Sequence, residues 1–180
     1  MEHAGPSLDA ALERYSALRT QKFANVPQVT RATLAEWQAA GTPRVVLCDV
    51  RTAEEFAVAT LRGAKTRAAV EAEAEELKAE KAKVVVFCTL GVRSAAAVEA
   101  FRASGLDAYN LEGSLLAASF APERLVDPKT NVPASRIHVF SNDWALHDSS
   151  RYKAVVFEKR LERAKAGFGF VRDKLKSWFP

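Results

Sequence analysis

Residues 84–94 of this 180-residue chain read VVVFCTLGVRS and are followed by an alanine-rich run. The apolar residues Val84–Phe87 have the length and the β-branched character of a buried strand. After a short loop that contains one glycine, Arg93 and Ser94 open a run with helical character. A cysteine at such a junction faces backbone N–H groups and the positive end of a helix dipole, which stabilise a thiolate and hold an anion. The stretch therefore predicts Cys88 as a nucleophile.

Two more stretches of strand length lie on either side of this junction. Arg44–Val50 is a nearly continuous apolar run, and Ala108–Leu111 follows a turn that contains glycine. Between the strands, the composition predicts one helix over Ala68–Lys83 and another over Ser94–Arg102. Strands separated by helices at this spacing predict an α/β fold with a mainly parallel sheet flanked by helices.

Charged residues follow the predicted strands at the ends where ligands bind in such sheets. Asp49 and Arg51 close the first of these strands, and Glu112 closes the last. We expect Asp49 and Arg51 to form an ion pair beneath the cysteine loop, as support for the site. Cys48 lies inside an apolar strand, where a cysteine behaves as a small buried hydrophobic residue, so we expect it to be structural.

The predicted helices and strands divide the chain into three parts. An amphipathic helix predicted over Ser7–Phe23 makes residues 1–25 an N-terminal helical extension. The strands and helices described above fall in one domain, residues 26–148. Residues 149–180 are predicted to form a basic amphipathic C-terminal helix.

The C-terminal segment suggests an interaction surface. Its apolar residues recur in steps of four and three along one stripe, at Phe157, Leu161, Ala164, Phe168, Val171, Leu175 and Trp178. We expect residues 155–179 to dock on the core or to bind a partner protein, because Gly167 and Gly169 weaken an isolated helix. The alternative is a helix that lies on a membrane surface, with its basic residues facing anionic lipid.

Composition limits the class of protein. With 48% hydrophobic and 27% charged residues, the chain is expected to be globular, and no apolar run is long enough to cross a bilayer. The net charge is +4, and the basic residues are mixed with acidic ones along the chain, so a nucleic acid is not an expected partner. No targeting segment is expected from the residues at the N-terminus.

The cysteines and histidines do not predict a cofactor. The two cysteines suggest neither a metal site nor a disulfide framework, which favours a reducing compartment, the cytoplasm or an organelle interior. His138 and His147 fit no common metal-ligand spacing, so we expect them to have surface or packing roles. No metal and no other cofactor is predicted.

Three stretches, in this order, resemble the rhodanese-like sulfurtransferases. They are Leu47–Arg51 with Glu54–Phe56 and Gly63-Ala64, then Val84–Ser94, and then Tyr109–Ser114. Their spacing is similar to that of a single rhodanese domain over Val26–Phe120. The resemblance implies a three-layer sandwich with a small parallel sheet. It also implies a reaction in which Cys88 accepts a sulfane sulfur from thiosulfate or a persulfide and passes it to a thiol or another nucleophile.

The resemblance also implies roles for the residues around the cysteine. The loop that would cradle the transferred sulfur consists of Thr89, Leu90, Gly91, Val92, Arg93 and Ser94. Asp49 and Arg51 would brace it. The chain departs from the family pattern at Thr60, where a histidine is common, and in lacking the usual tryptophan in the last core helix.

Alternatives to sulfur transfer differ in how well they fit the loop. Related phosphatases and arsenate reductases carry one more residue between cysteine and arginine, so the shorter loop favours a single sulfur over a tetrahedral oxyanion. Because Leu90 and Val92 make the loop apolar apart from Arg93, we expect thiosulfate to be a weak donor and a persulfide to be the working one. A non-enzymatic alternative is an interaction or regulatory module in which the cysteine is idle.

Overall fold

The centre of the molecule is a five-stranded parallel sheet in a computed structural model that describes residues 6–157. The strands are β1 Gln28–Val29, β2 Val45–Asp49, β3 Lys65–Thr66, β4 Lys83–Phe87 and β5 Asp107–Leu111. Their order across the sheet is β1-β5-β4-β2-β3, and every neighbouring pair is parallel. The predicted α/β class with a parallel sheet is therefore confirmed.

Strand β4 is the middle of this sheet, and Val84–Phe87 are fully buried there. Buried on both faces, the strand needs apolar side chains at consecutive positions, which explains the run of valines. The register places Asp49 of β2 opposite Phe87 of β4. The carboxyl ends of the two strands are thus level, and the loop that begins at Cys88 leaves the sheet at that edge.

Helices flank the sheet. They are α1 Leu8–Lys22, α2 Arg31–Ala40, α3 Ala53–Val58, α4 Arg67–Ala72, α5 Ala74–Ala79, α6 Val92–Ala103 and α7 Ser114–Ala118. Thr52 caps the N-terminus of α3 with a reciprocal capping box. The Thr52 hydroxyl accepts from the Glu55 N–H, and the Glu55 carboxylate accepts from the Thr52 N–H. α1 packs against α6 and α7, which brings the N-terminal extension to the cysteine loop.

Two helices differ from the sequence-based expectation. The single helix predicted over Ala68–Lys83 is instead α4 and α5, which meet at Glu73, and β4 already begins at Lys83. Glu73 leaves helical geometry there while its carboxylate binds Lys65 and Arg44, which tie it to the sheet. α6 begins at Val92, two residues earlier than predicted, because Gly91 adopts a left-handed conformation before it.

The chain beyond the main sheet forms a second, two-stranded parallel sheet from β6 Arg136–His138 and β7 Lys153–Val155. The prediction of a helix from Ser149 is wrong for these residues, because residues 153–155 complete their hydrogen bonds by pairing with β6. The remainder of the predicted C-terminal helix, residues 158–180, lies outside the described residues. Within residues 6–157, no helix is long and apolar enough to span a membrane.

Candidate active site

Cys88 follows β4 directly, and the loop after it curls around the sulfur. The N–H of Gly91 donates to Cys88 Sγ at 3.1 Å, and the Ser94 hydroxyl lies 3.5 Å from the same sulfur. Burial works to raise the pKa of the Cys88 thiol, but the charge of Arg93 and the hydrogen bonds from Ser94 and Gly91 outweigh it, so this pKa lies below its ordinary value. The arrangement favours a thiolate at a residue whose surface is only 2% exposed.

Gly91 is required at its position in the loop for two reasons. Its φ of +104° lies where side chains with a Cβ are strained, and this conformation turns its N–H towards the sulfur. A Cβ on Gly91 would also overlap the ring of Tyr15 from α1. The backbone therefore approaches both the thiol and the N-terminal helix closely.

Tyr15 ties the N-terminal helix to this loop. Its ring is buried, and its hydroxyl donates to Gln28 and accepts from the side-chain amide of Asn110 at 3.2 Å. The same amide donates to the Gly91 carbonyl at 3.1 Å. Burial raises the pKa of the Tyr15 hydroxyl, which keeps it a donor. The amphipathic pattern indicated a buried face on α1, but it carried no signal that this face meets the cysteine loop.

Arg93 lies in the first turn of α6 and is held by Glu55 of α3. Arg93 Nη1 and Nη2 donate to the two carboxylate oxygens of Glu55 at 2.8 and 3.0 Å, and Nη2 also donates to Thr89 Oγ1 at 3.1 Å. Burial works to raise the pKa of the Glu55 carboxyl, but its contacts with His138 and Arg93 hold that pKa well below its usual range. Glu55 contacts the loop directly, whereas the sequence analysis named it only within the stretch Glu54–Phe56 that carries the family resemblance.

His138 of β6 reaches the same carboxylate. Its Nδ1 lies 3.0 Å from Glu55 Oε1, and both side chains are buried. This contact between the imidazole nitrogen and the carboxylate is one of the causes of the low pKa of Glu55. The His138 ring also stacks on Phe157, with the centroids 4.5 Å apart. Sequence reasoning expected a surface or packing role here and missed the contact with Glu55.

Asp49 and Arg51 form the expected ion pair, and both side chains are fully buried. Arg51 binds the Asp49 carboxylate through Nε at 2.9 Å and Nη2 at 2.7 Å. Arg51 also donates to the Ala59 carbonyl at 2.5 Å, and Thr60 Oγ1 donates to Asp49 Oδ2 at 2.8 Å. Thr60 thus completes the network around Asp49. The pair holds the chain that follows α3, next to the strand that carries Cys88.

Two expectations about other residues have different outcomes. The sequence predicted an apolar loop from Leu90 and Val92, but Leu90 is only 5% exposed and packs in the hydrophobic core, so its side chain does not face an approaching donor. Cys48 is buried as expected, and burial raises the pKa of its thiol to about 12.

Among residues 6–157, no group of three His, Cys, Asp and Glu side chains could hold a metal ion.

The fold and the loop define an α/β domain with a cysteine at the carboxyl end of its central strand. The model of the rhodanese-like domain family matches residues 30–119, half of the chain, and the chain belongs to that family. No curated protein matches the chain.

Solved structures are similar over part of the chain. A rhodanese-like domain protein from Staphylococcus aureus is 31% identical over 56% of this chain and 96% of its own, with a TM-score of 0.45. A Staphylococcus saprophyticus protein is 27% identical over 56% of this chain and 98% of its own, with a TM-score of 0.44. Thiosulfate sulfurtransferase from Pseudomonas aeruginosa is 16% identical over 74% of this chain and 25% of its own, with a TM-score of 0.52, which is a similarity of fold.

Proposed function

We propose that this chain is a sulfurtransferase that carries a sulfane sulfur on Cys88. The observation that supports it best is the cradle of the Cys88 sulfur, which receives the Gly91 N–H at 3.1 Å and lies 3.5 Å from the Ser94 hydroxyl. Those donors, with the charge of Arg93, lower the pKa of the thiol and favour the nucleophilic form.

The reaction balances without an oxidant or a reductant. The Cys88 thiolate attacks the outer sulfur of a persulfide donor, a new S–S bond forms at Cys88, and the donor leaves as a thiolate with the electron pair of its broken S–S bond. An acceptor thiolate then attacks the outer sulfur on Cys88. That step releases the Cys88 thiolate and leaves the acceptor as a persulfide.

The ion pair between Arg93 and Glu55 favours a persulfide over thiosulfate as donor. Glu55 already accepts hydrogen bonds from Nη1 and Nη2 of Arg93, and its carboxylate offsets part of the guanidinium charge. A dianion such as thiosulfate would compete with Glu55 for Arg93, whereas a persulfide carries at most one charge on its sulfurs. This ion pair, rather than the apolar character of Leu90 and Val92, is therefore the reason to expect weak thiosulfate turnover.

Intact-mass measurement after incubation with a low-molecular-weight persulfide tests the proposal. We expect the wild-type chain to gain one sulfur atom, which a thiol acceptor then removes. Cys88→Ser should gain none. Cys48→Ser is the matched control and should gain sulfur as the wild type does, because Cys48 is fully buried with a raised pKa. A wild-type chain that gains no sulfur would overturn the proposal.

A rhodanese-fold module without turnover is the second candidate function, and the low exposure of Cys88, 2%, favours it. Its expected result in the same experiment is no adduct on either the wild type or Cys88→Ser. Phosphatase or arsenate reductase chemistry is less well supported, because the loop is short and Arg93 is already bound to a carboxylate.

For partners, we propose a small thiol or a protein persulfide as donor and acceptor, and a protein surface or the core as the contact of residues 155–179. Co-sedimentation with anionic vesicles compares the full chain with a chain that lacks residues 168–180. We expect both to stay in the supernatant, whereas binding by the full chain alone would favour the membrane alternative.

A further inference from the structure

The chain that follows the family-matched residues 30–119 contributes a side chain to the surroundings of the active cysteine. His138 is the last residue of β6, and β6 packs against α3. α3 carries Glu55, the residue that binds Arg93. His138 of β6 is therefore linked to Arg93 of the cysteine loop through one carboxylate, that of Glu55.

One carboxylate oxygen is shared between His138 and Arg93. Glu55 Oε1 lies 3.0 Å from His138 Nδ1 and accepts from Arg93 Nη2, also at 3.0 Å. The other oxygen, Oε2, accepts from Arg93 Nη1 at 2.8 Å and from the N–H of Thr52 at 2.9 Å. Groups from three elements thus fix the orientation of this carboxylate.

His138 is itself held in a fixed orientation. Its ring stacks on Phe157 with an interplanar angle of 29°, and its side chain is buried. The ring contacts the carboxylate of Glu55 in α3, and that carboxylate in turn binds Arg93 of α6. Its neighbour in β7, Val155, is uncharged.

We propose that His138 is a positioning residue for the cysteine loop, which acts by fixing Glu55 and, through Glu55, the guanidinium of Arg93. The inference deepens the proposed function, since it concerns the same thiolate. It assigns to the segment after residue 119 a part in the reactivity of Cys88.

The direction of the effect follows from the sharing of Oε1. Without His138, that oxygen is free to turn fully to Arg93, and a carboxylate that neutralises Arg93 more completely leaves less positive charge for the Cys88 thiolate. Loss of the ring also removes one of the contacts that fix Glu55, the residue that binds Arg93. Both consequences raise the pH at which Cys88 ionises.

The rate of iodoacetamide alkylation of Cys88, measured against pH on the full chain, tests the proposal. We expect His138→Ala to move the midpoint up by about half to one pH unit, which below the midpoint is a slowing of about three- to tenfold. His138→Asn keeps an N–H donor near the position of Nδ1 and should restore part of the shift.

His147→Ala is the matched control for loss of a buried histidine in the same segment. His147 is buried and its Nε2 lies 3.0 Å from the Tyr152 carbonyl oxygen, so its loss should reduce stability without moving the Cys88 midpoint. The proposal would be overturned if both His138→Asn and folded His138→Ala showed the same alkylation midpoint as the wild type. So would an equal shift in His147→Ala.

Alkylation reports the thiolate whether or not sulfur is transferred. A chain that gains no sulfur from a persulfide but shows the His138-dependent shift would overturn the proposed function and keep this inference. The converse result would overturn only the inference.

Discussion

Glu55 binds Arg93 through both carboxylate oxygens, at 2.8 and 3.0 Å, and so joins α3 to the first turn of α6 beside Cys88. The carboxylate is 2% exposed, while the arginine side chain is 41% exposed. A buried carboxylate with a partly solvated cation is a pair in which removal of the cation leaves the costlier unpaired charge. The stability of the loop and the ionisation of the thiol therefore depend on the same pair.

Replacing Glu55 with Gln should lower the free energy of unfolding by about 2 kcal/mol at neutral pH, because Arg93 and His138 lose the charge they face. The pKa of Glu55 in the folded state is below its ordinary value of 4.5, so the ionised carboxylate stabilises the fold fully above that pH, and its contribution is lost as the pH falls below it. Urea unfolding at neutral pH and near pH 3 should show the difference between wild type and variant shrinking in acid. A difference that stays constant would contradict the assignment.

Replacing Arg93 with Gln should raise the pH midpoint of Cys88 alkylation by about one unit, because the main charge that favours the thiolate is lost. The variant should also be less stable than the wild type, since Glu55 keeps a buried charge. The double variant Glu55→Gln with Arg93→Gln separates the two effects. It should recover part of the stability lost in Arg93→Gln and leave the alkylation midpoint raised, and a recovered midpoint would contradict a direct role for the arginine charge.

Local patterns were enough to predict the framework of the site. The apolar run before Cys88 identified the central strand, the residues that follow identified α6, and Asp49 with Arg51 was correctly predicted as an ion pair because both close one strand. Each of these depends on residues that are near one another in the chain. Periodicity and composition report such neighbours directly.

The partners of Arg93 and Gly91 could not be predicted in this way. Glu55 meets Arg93 and His138 only because α3, α6 and β6 come together in space, and Tyr15 meets Gly91 only because α1 crosses the loop. A buried helix face predicts that it packs on something, but its partner is set by tertiary packing. The prediction of a helix from Ser149 failed for the same reason, because pairing with β6 determines the conformation of residues 153–155.

Replacing Thr60 with Val should lower the free energy of unfolding by about 1 to 2 kcal/mol, because a buried Asp49 oxygen loses the hydroxyl that donates to it at 2.8 Å. The side chains have nearly the same volume, so the change reports the hydrogen bond. The Cys88 alkylation profile should not move, since the hydrogen bonds described for this network join Asp49, Arg51, Thr60 and Ala59 and do not reach the cysteine loop. Thr20→Val, on the exposed face of α1, is the control and should change stability by less than about 0.5 kcal/mol. Equal losses in the two variants would contradict the role assigned to Thr60.

Replacing Gly91 with Ala should lower the free energy of unfolding strongly, and Gly105→Ala is the matched comparison. Both glycines have positive φ, +104° and +92°, so both variants pay for backbone strain of about 1 kcal/mol. A Cβ at residue 105 meets only the flexible end of Lys78 at 3.7 Å, whereas at residue 91 it overlaps the buried ring of Tyr15. Gly91→Ala should therefore cost about 2 kcal/mol more than Gly105→Ala in urea unfolding. In a Tyr15→Ala background that difference should disappear, because the ring that the Cβ meets is gone. If the difference persists there, Tyr15 does not pack on the loop.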